Sequence, residues 1–152
     1  MVAKLVEIDK IWKLLETIPD PEIPVISIVD LGIIRKVEYD RNQLVISITS
    51  TYSGCPAMKF IEKEIILLLE QEGYKNVAIK MTLSPPWTTD WINTEAMEKL
   101  KKEGIAPPIR KISCPHCGTD KIERISEFGS TACKAFYKCN GCLEPFEYFK
   151  CI

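Results

Sequence analysis

The cysteines of this chain are concentrated at its C-terminal end and are spaced as metal ligands. Six of the seven lie after residue 113, and four of them form the pairs Cys114–Cys117 and Cys139–Cys142, with 21 residues between the pairs. Two residues between thiols let each pair turn around one ion, so two pairs complete a tetrahedral shell. A short segment cannot bury enough apolar surface to fold alone, and a bound metal supplies the missing stability. The spacing predicts a four-cysteine zinc ribbon over residues 112–152.

Zinc is favoured over iron at these four thiols, because a closed shell of four thiolates in a short ribbon is commonly structural. His116 lies inside the first pair and would become a ligand only if a cysteine were displaced. Charged residues interrupt every apolar stretch of the N-terminal sequence, which is therefore not a secretory signal. Without export, disulfides are not expected, and the thiols are available to metal ions.

Composition and charge narrow the class of protein further. Apolar residues make up 46% of the chain and charged residues 27%, which is typical of a folded soluble protein. The net charge of −1 argues against a protein that grips a nucleic acid backbone. The longest apolar run, residues 65–69, is far shorter than the roughly 18–20 residues that cross a bilayer. We expect a cytoplasmic protein with neither a nucleic acid nor a membrane partner.

The chain is predicted to divide near Gly104, which suits a helix C-cap and is followed by Pro107 and Pro108. Two consecutive prolines cannot continue a helix or lie inside a sheet. This gives an α+β domain over residues 1–104, a linker over 105–111 and the ribbon over 112–152.

The first domain is predicted to be a small sheet covered by helices, in the order α-β-β-α-β-α. Apolar spacing predicts the helices and β-branched alternation predicts the strands. The third strand can pair with either strand of the hairpin. The predicted elements are a helix over 8–18, a hairpin of 33–39 and 44–50, a helix over 56–72, a strand over 77–83 and a final helix capped by Asn93 or Thr94 and ending at 103.

Cys55 is the one cysteine of the first domain, and it directly precedes Pro56 at the predicted start of a helix. Free backbone N–H groups and the helix dipole there can stabilise a thiolate and lower the thiol pKa. Gly54 allows a sharp turn that would expose the sulfur. The alternative is an inert cysteine at a turn, since cysteine is common in cores. The sequence has no histidine to spare for a cysteine–histidine hydrolase, so a soft-metal ligand is the favoured functional role.

Several other residues have both a structural and a functional interpretation. Asp20 and Glu22 flank a proline, where carboxylates commonly serve turns, but beside a thiolate they would form a mixed sulfur and oxygen site for iron. Cys133 and Cys151 are either a small buried side chain and a frayed terminal thiol, or helpers in holding an iron–sulfur cluster in transit. Trp87 and a second tryptophan four residues later are packing residues or anchors for a partner.

Several motifs resemble known families. The motifs are Asp-Pro-Glu-Ile-Pro at 20–24, Val-Asp-Leu-Gly at 29–32 and Thr-Tyr-Ser-Gly-Cys-Pro at 51–56, and they resemble the α+β domain of the iron–sulfur assembly and metal-targeting family. The longer pattern resembles the D-protein family of the phenylacetyl-CoA epoxidase system. It comprises Ser-Pro-Pro-Trp-Thr-Thr-Asp-Trp-Ile from residue 84, Gly-Ile-Ala-Pro-Pro from 104, Phe-Gly-Ser-Thr-Ala-Cys-Lys-Ala at 128–135 and Glu-Pro-Phe-Glu-Tyr-Phe-Lys at 144–150.

This resemblance implies an accessory protein of aerobic phenylacetate degradation that matures or delivers the iron or iron–sulfur centres of a multicomponent epoxidase. The implied partners are protein components of the epoxidase and iron–sulfur assembly proteins, and the implied role is not catalytic. Cys55 matches the family's functional cysteine, with Asp20, Glu22 and Thr51 around it, and Cys133 falls inside a matched motif. The alternative is a stable, non-catalytic subunit of the epoxidase complex.

Overall fold

A computed structural model describes residues 2–52 and 54–150. The chain folds as two compact units, of which the first ends at Trp87 and the second begins at Thr88. No helix in the part of the chain described here is long and apolar enough to span a membrane. Small sheets with helices, followed by a cysteine-containing ribbon, make this an α+β protein, as the sequence predicts.

The first unit holds two helices and a three-stranded sheet. Helix α1 comprises Val2–Leu15 and helix α2 Ala57–Gln71, while the strands are β1 Ile34–Asp40, β2 Gln43–Ile48 and β3 Val77–Met81. The sheet has the order β1-β2-β3, in which β1 and β2 form the predicted antiparallel hairpin. Strand β3 pairs parallel with β2, which settles the alternative that the sequence left open. The parallel pairing follows because α2 carries the chain back to the starting edge of β2 before β3 begins.

The core of the first unit is built from the apolar faces of these elements. Ile11 of α1, Ile46 of β2 and Ile61 and Ile65 of α2 are almost completely buried. The predicted buried stripe on α2 is right except at its end, where Leu69 and not Leu68 is buried. A position four residues after Ile65 lies on the same helix face as Ile65, and this explains the choice of Leu69.

Helix α1 starts six residues earlier than predicted and ends three residues earlier. The turns after Leu15 tighten, since the amide of Ile18 donates to the carbonyl of Leu15 three residues before it. At the other end, the added residues Val2, Leu5 and Val6 are exposed, so no apolar stripe marks this turn of the helix in the sequence.

The second unit contains one short helix and a four-stranded sheet. Helix α3 comprises Thr94–Lys102, and the strands are β4 Ile105–Ala106, β5 Ile122–Ser126, β6 Lys134–Cys139 and β7 Pro145–Phe149. The sheet order is β4-β7-β6-β5, with β4 parallel to β7 and the other pairs antiparallel. Asn93 caps α3 as predicted, its side chain accepting a hydrogen bond from the amide of Ala96 at 2.7 Å.

The division between the units differs from the predicted boundary after residue 104 and the predicted linker over 105–111. Residues 105–106 form strand β4 of the ribbon sheet, and α3 contacts β4, so both belong to the second unit. The consecutive prolines do end regular structure, but only after this two-residue strand has paired with β7. A pairing so short has no sequence signature, because it depends on a partner strand about forty residues away.

Candidate functional sites

The four predicted cysteines of the ribbon meet at one point. The sulfur atoms of Cys114, Cys117, Cys139 and Cys142 all lie within 4.8 Å of one another. The Sγ atoms of Cys114 and Cys142 are 3.7 Å apart, and those of Cys117 and Cys139 are 3.5 Å apart. Thiolates about 2.3 Å from a tetrahedral zinc ion are separated by about 3.8 Å, so the observed separations fit a single ion.

Backbone geometry shapes this site. The amides of Gly141 and Cys142 both point to the Cys139 sulfur, each at 3.3 Å. These hydrogen bonds favour the thiolate and lower the pKa of Cys139 to about 6. In the first pair, the amide of Gly118 donates to the carbonyl of Cys114 at 2.8 Å and closes the turn. The site is therefore organised to present thiolates to a cation.

The site also forms much of the ribbon's core. Cys114 and Cys139 are buried in one cluster with Ala135, Phe146 and Tyr148. Tyr137 stacks on Phe146 with ring centroids 5.8 Å apart. Because two of the few buried side chains are candidate ligands, metal binding and packing of this sheet are coupled.

Cys55 lies in the turn that leads into α2, as predicted, but Pro56 occupies the N-cap position and not the first helical position. The amide of Cys55 donates to the carbonyl of Tyr52 at 3.4 Å, and Gly54 adopts a positive φ of 76°. A Cβ atom at Gly54 would meet no other atom within 4 Å, so only the backbone angle favours glycine here. The thiol is half-buried and not fully exposed.

The predicted lowering of the Cys55 pKa is wrong. Burial raises the pKa of the Cys55 thiol above its ordinary value, and the negative charges of Glu22 and Asp20 raise it further. Hydrogen bonds from the amide of Ala57 and the hydroxyl of Tyr52 favour the thiolate but do not outweigh burial. The helix terminus was the correct feature to recognise, but the cost of desolvating the thiolate is the larger effect.

The structure brings two predicted carboxylates into the surroundings of Cys55. Glu22 accepts a hydrogen bond from the hydroxyl of Tyr52 at 3.2 Å, which links the segment before β1 to the turn before α2. Asp20 is buried and accepts the amides of Glu22 and Ile23 at 2.9 and 2.8 Å, so it has the turn-forming role that its sequence context suggests. Its charge nevertheless reaches the Cys55 thiol.

Tyr52 is the residue of this site that the sequence analysis missed. Its hydroxyl contacts both Glu22 and Cys55, and burial raises its own pKa, with further contributions from these neighbours. It lies inside the Thr-Tyr-Ser-Gly-Cys-Pro motif, which was the available signal. Thr51, also predicted, lies in the same turn and is half-buried.

Cys133 lies in the ribbon unit, outside the four-cysteine cluster. It is 5% exposed, and its sulfur is 3.0 Å from the hydroxyl oxygen of Thr131. The turn in which it lies is held by Glu147, whose carboxylate accepts the amide and hydroxyl of Ser130 and pairs with Lys134 at 3.7 Å. Glu147 was not recognised from the sequence. Cys151 lies outside the described residues.

Trp87 is a packing residue. It is 5% exposed, and its indole N–H donates to the carbonyl of Leu31 at 2.7 Å. A buried indole that is hydrogen-bonded within its own unit does not anchor a partner on the surface. The structural interpretation of this tryptophan is therefore confirmed.

Comparisons with known proteins agree with this arrangement. The family model described as iron–sulfur cluster assembly protein matches residues 8–79, and that of the PaaD zinc beta ribbon domain matches residues 101–150. A Bacillus anthracis domain of unknown function, DUF59, has a similar fold, with a TM-score of 0.57, 28% identity and coverage of 61% of this chain and 90% of that one. A conserved hypothetical protein of Thermotoga maritima gives a TM-score of 0.51 at 26% identity, over 60% and 91% of the chains.

Two curated relatives are similar in sequence. An Escherichia coli (strain K12) protein, named as the D protein among the subunits of 1,2-phenylacetyl-CoA epoxidase, is 45% identical over 96% of this chain and 94% of its own length. A Porphyromonas gingivalis protein named Fe-S protein maturation auxiliary factor is 37% identical over 60% of this chain and 89% of its own length.

Fold and sites together define a protein with an iron–sulfur assembly-type α+β domain and a zinc ribbon. Within that class, the chain belongs to the D-protein family of the phenylacetyl-CoA epoxidase system. The resemblance stated from the sequence motifs is confirmed.

Proposed function

We propose that this protein is a non-catalytic factor that matures, or delivers iron to, the metal centres of a multicomponent phenylacetyl-CoA epoxidase. Two independent similarities support the proposal. The relative that matches nearly the whole chain is named as an epoxidase subunit, and the relative that matches 60% of the chain is named as a maturation factor. A chain that combines both likenesses fits a maturation factor dedicated to one enzyme.

The surroundings of Cys55 are the observation that carries this proposal. A half-buried thiol faces the charges of Glu22 and Asp20, so a bare thiolate is disfavoured there and a bound cation is favoured. On binding, Fe²⁺ would replace the thiol proton, which leaves to solvent. Thiolate sulfur with carboxylate oxygen is a ligand set suited to iron.

One thiolate also suits a transient ligand better than a permanent one. The four-cysteine site closes around an ion with thiolates alone, whereas the Cys55 turn supplies one sulfur. When the ion leaves, the high pKa of Cys55 lets the thiol take up a proton again. The proposed cargo is therefore iron, alone or in a cluster, and Thr51 in the same turn belongs to the proposed site.

We assign zinc to the ribbon on the basis of its sulfur geometry. Separations of 3.5 and 3.7 Å fit four thiolates on one ion, whereas an iron–sulfur cluster distributes its cysteines over different irons. Zinc would supply folding energy and no chemistry. Cys133, which is outside this shell, remains a candidate helper in cluster transfer.

The second candidate function is that of a permanent, non-catalytic subunit of the epoxidase complex. The name of the Escherichia coli relative, which calls that protein a subunit, favours it. Both functions imply protein partners, and they differ in whether the protein is needed after the enzyme has been assembled.

The experiment purifies the epoxidase from cells that contain or lack this protein and measures iron content and turnover. A maturation factor is expected to leave the enzyme fully iron-loaded and active after its own removal. Activity that disappears on removal and returns on simple re-addition would contradict maturation and support the subunit role.

Variants then test the ligand. Cys55→Ser is expected to fold normally and to yield epoxidase deficient in iron, since serine keeps the size of the side chain but lacks the soft donor. Lys75→Gln, an exposed substitution in the same unit, is the control and should support full activity. Epoxidase with normal iron content and turnover from Cys55→Ser cells would refute the role of Cys55. Cys133→Ser in the same assay tests Cys133.

A further inference from the structure

A polar pocket of about 340 Å³ lies on the sheet of the first unit. It is lined by residues of β1, β2 and β3 and of the segment after β3, among them Lys36, Ser47, Lys80 and Thr82. Ile46 and Ile48, the neighbours of Ser47 in β2, are completely buried in the core. Because side chains alternate along a strand, Ser47 points to the opposite face of the sheet.

Strand register places two lysines on either side of Ser47. Lys36 of β1 is the cross-strand partner of Ser47, and Ser47 is in turn the partner of Lys80 in β3. Directly paired residues have Cβ atoms about 4.5–5.5 Å apart. The short serine side chain thus forms a floor between two long cationic side chains.

A bulge in β1 adds a third cation to this pocket. The register shifts between Ile34 and Lys36, so that Arg35 is an extra residue in the strand. A bulge re-aims side chains, and here both Arg35 and Lys36 line the pocket. The Arg35 guanidinium donates to the carbonyl of Gly32 at 3.4 Å, which orients it.

The charges of the lining favour an anion. Glu38 is the one carboxylate of the lining and is paired with Lys36 at 2.6 Å. Lys80 forms no ion pair with any described residue, and the same is true of the Ser47 hydroxyl with respect to hydrogen bonds, although Ser47 is only 7% exposed. A hydroxyl that reaches solvent only through the pocket, next to a cation, is a donor available to a bound acceptor. This basic pocket lies in a unit whose sequence is otherwise acidic on balance.

We propose that this pocket binds the phosphoryl groups of a phosphorylated small molecule. Lysine ammonium groups bind phosphate oxygens as point charges, and the Ser47 hydroxyl can donate to the same oxygens. The pocket is within the size range of small-molecule sites, so it accommodates more than a single phosphate ion. This site is separate from the Cys55 turn, and the proposal does not depend on the proposed function.

The test titrates the full, zinc-loaded chain with sodium pyrophosphate and, separately, with coenzyme A, at constant ionic strength and with amide chemical shifts as the readout. Saturable shifts centred on Ser47, Lys80 and Thr82 are expected. Tighter binding of pyrophosphate would point to an inorganic ligand, and tighter binding of coenzyme A to a nucleotide-containing one. Either result supports a phosphoryl site.

Matched variants establish specificity. Lys80→Gln is expected to weaken pyrophosphate binding at least about tenfold, and Ser47→Ala to weaken it severalfold. Lys75→Gln removes the same charge from an exposed position outside the pocket and should leave affinity within about twofold. The proposal is overturned by the absence of saturable shifts, by equal weakening in both lysine variants, or by citrate binding as tightly as pyrophosphate.

Discussion

Substitution of Cys139 by serine tests the metal site most directly. Cys139 is completely buried, and its sulfur accepts two backbone amides at 3.3 Å in addition to meeting the other three thiols. Structural zinc contributes about 10–16 kcal/mol in small peptides at pH 7, so one of four thiolates accounts for about 2.5–4 kcal/mol. At about 1.4 kcal/mol per factor of ten, Cys139→Ser is expected to weaken zinc binding about 100- to 1,000-fold.

The assay is competition for zinc with a chromophoric chelator, combined with amide spectra of the ribbon. In Cys139→Ser, signals from β5, β6 and β7 should collapse at chelator concentrations that leave the parent protein folded, while those of the first sheet persist. Cys133→Ser makes the same chemical change at a buried cysteine outside the cluster and should leave zinc affinity unchanged. Parent-like affinity in Cys139→Ser, or equal losses in both variants, would refute the assignment.

Two further predictions concern charges near cysteines. Because negative charge raises the pKa of Cys55, Glu22→Gln should lower that pKa and speed alkylation of Cys55 at pH 8, whereas Tyr52→Phe removes a hydrogen bond to the thiolate and should slow it. Peptide-resolved mass spectrometry measures both rates, and in the parent protein the rate should still be rising with pH above about 8.5, since only the thiolate reacts. Equal rates in both variants would contradict this electrostatic account. In the ribbon, Glu147→Gln leaves the buried ammonium of Lys134 without its counter-charge and should lower the free energy of unfolding by about 2 kcal/mol, less than for a fully buried pair because Glu147 is partly exposed. Urea denaturation measures it, and an unchanged midpoint would refute it.

Much of the local structure was predictable because it depends on neighbours in sequence. The hairpin, helix α2 and the cap at Asn93 follow from periodicity and from side chains that act within a turn or two of their own position. The four-cysteine site was predictable for a related reason. Two residues between thiols fix the geometry of each pair, and one ion then requires the two pairs to meet.

Contacts between distant segments were decided only by the tertiary structure. The pairing of β3 with β2 and of β4 with β7 depends on which edge is free once the rest has folded. The sequence gives no sign that Glu147 holds the turn before Cys133, because 17 residues separate it from Ser130. The same is true of the row of Lys36, Ser47 and Lys80, which strand register alone creates.

The pKa of Cys55 shows the same division most clearly. Its place at a helix start, beside Gly54 and Pro56, is written in the sequence, and that place favours a thiolate. Burial of the sulfur and the approach of Glu22, together with the more remote charge of Asp20, arise only when a segment thirty residues earlier folds against the turn. Sequence therefore determined which side chains could act, and the tertiary structure determined the dielectric and charge around them, because both depend on what lies nearby in space and not along the chain.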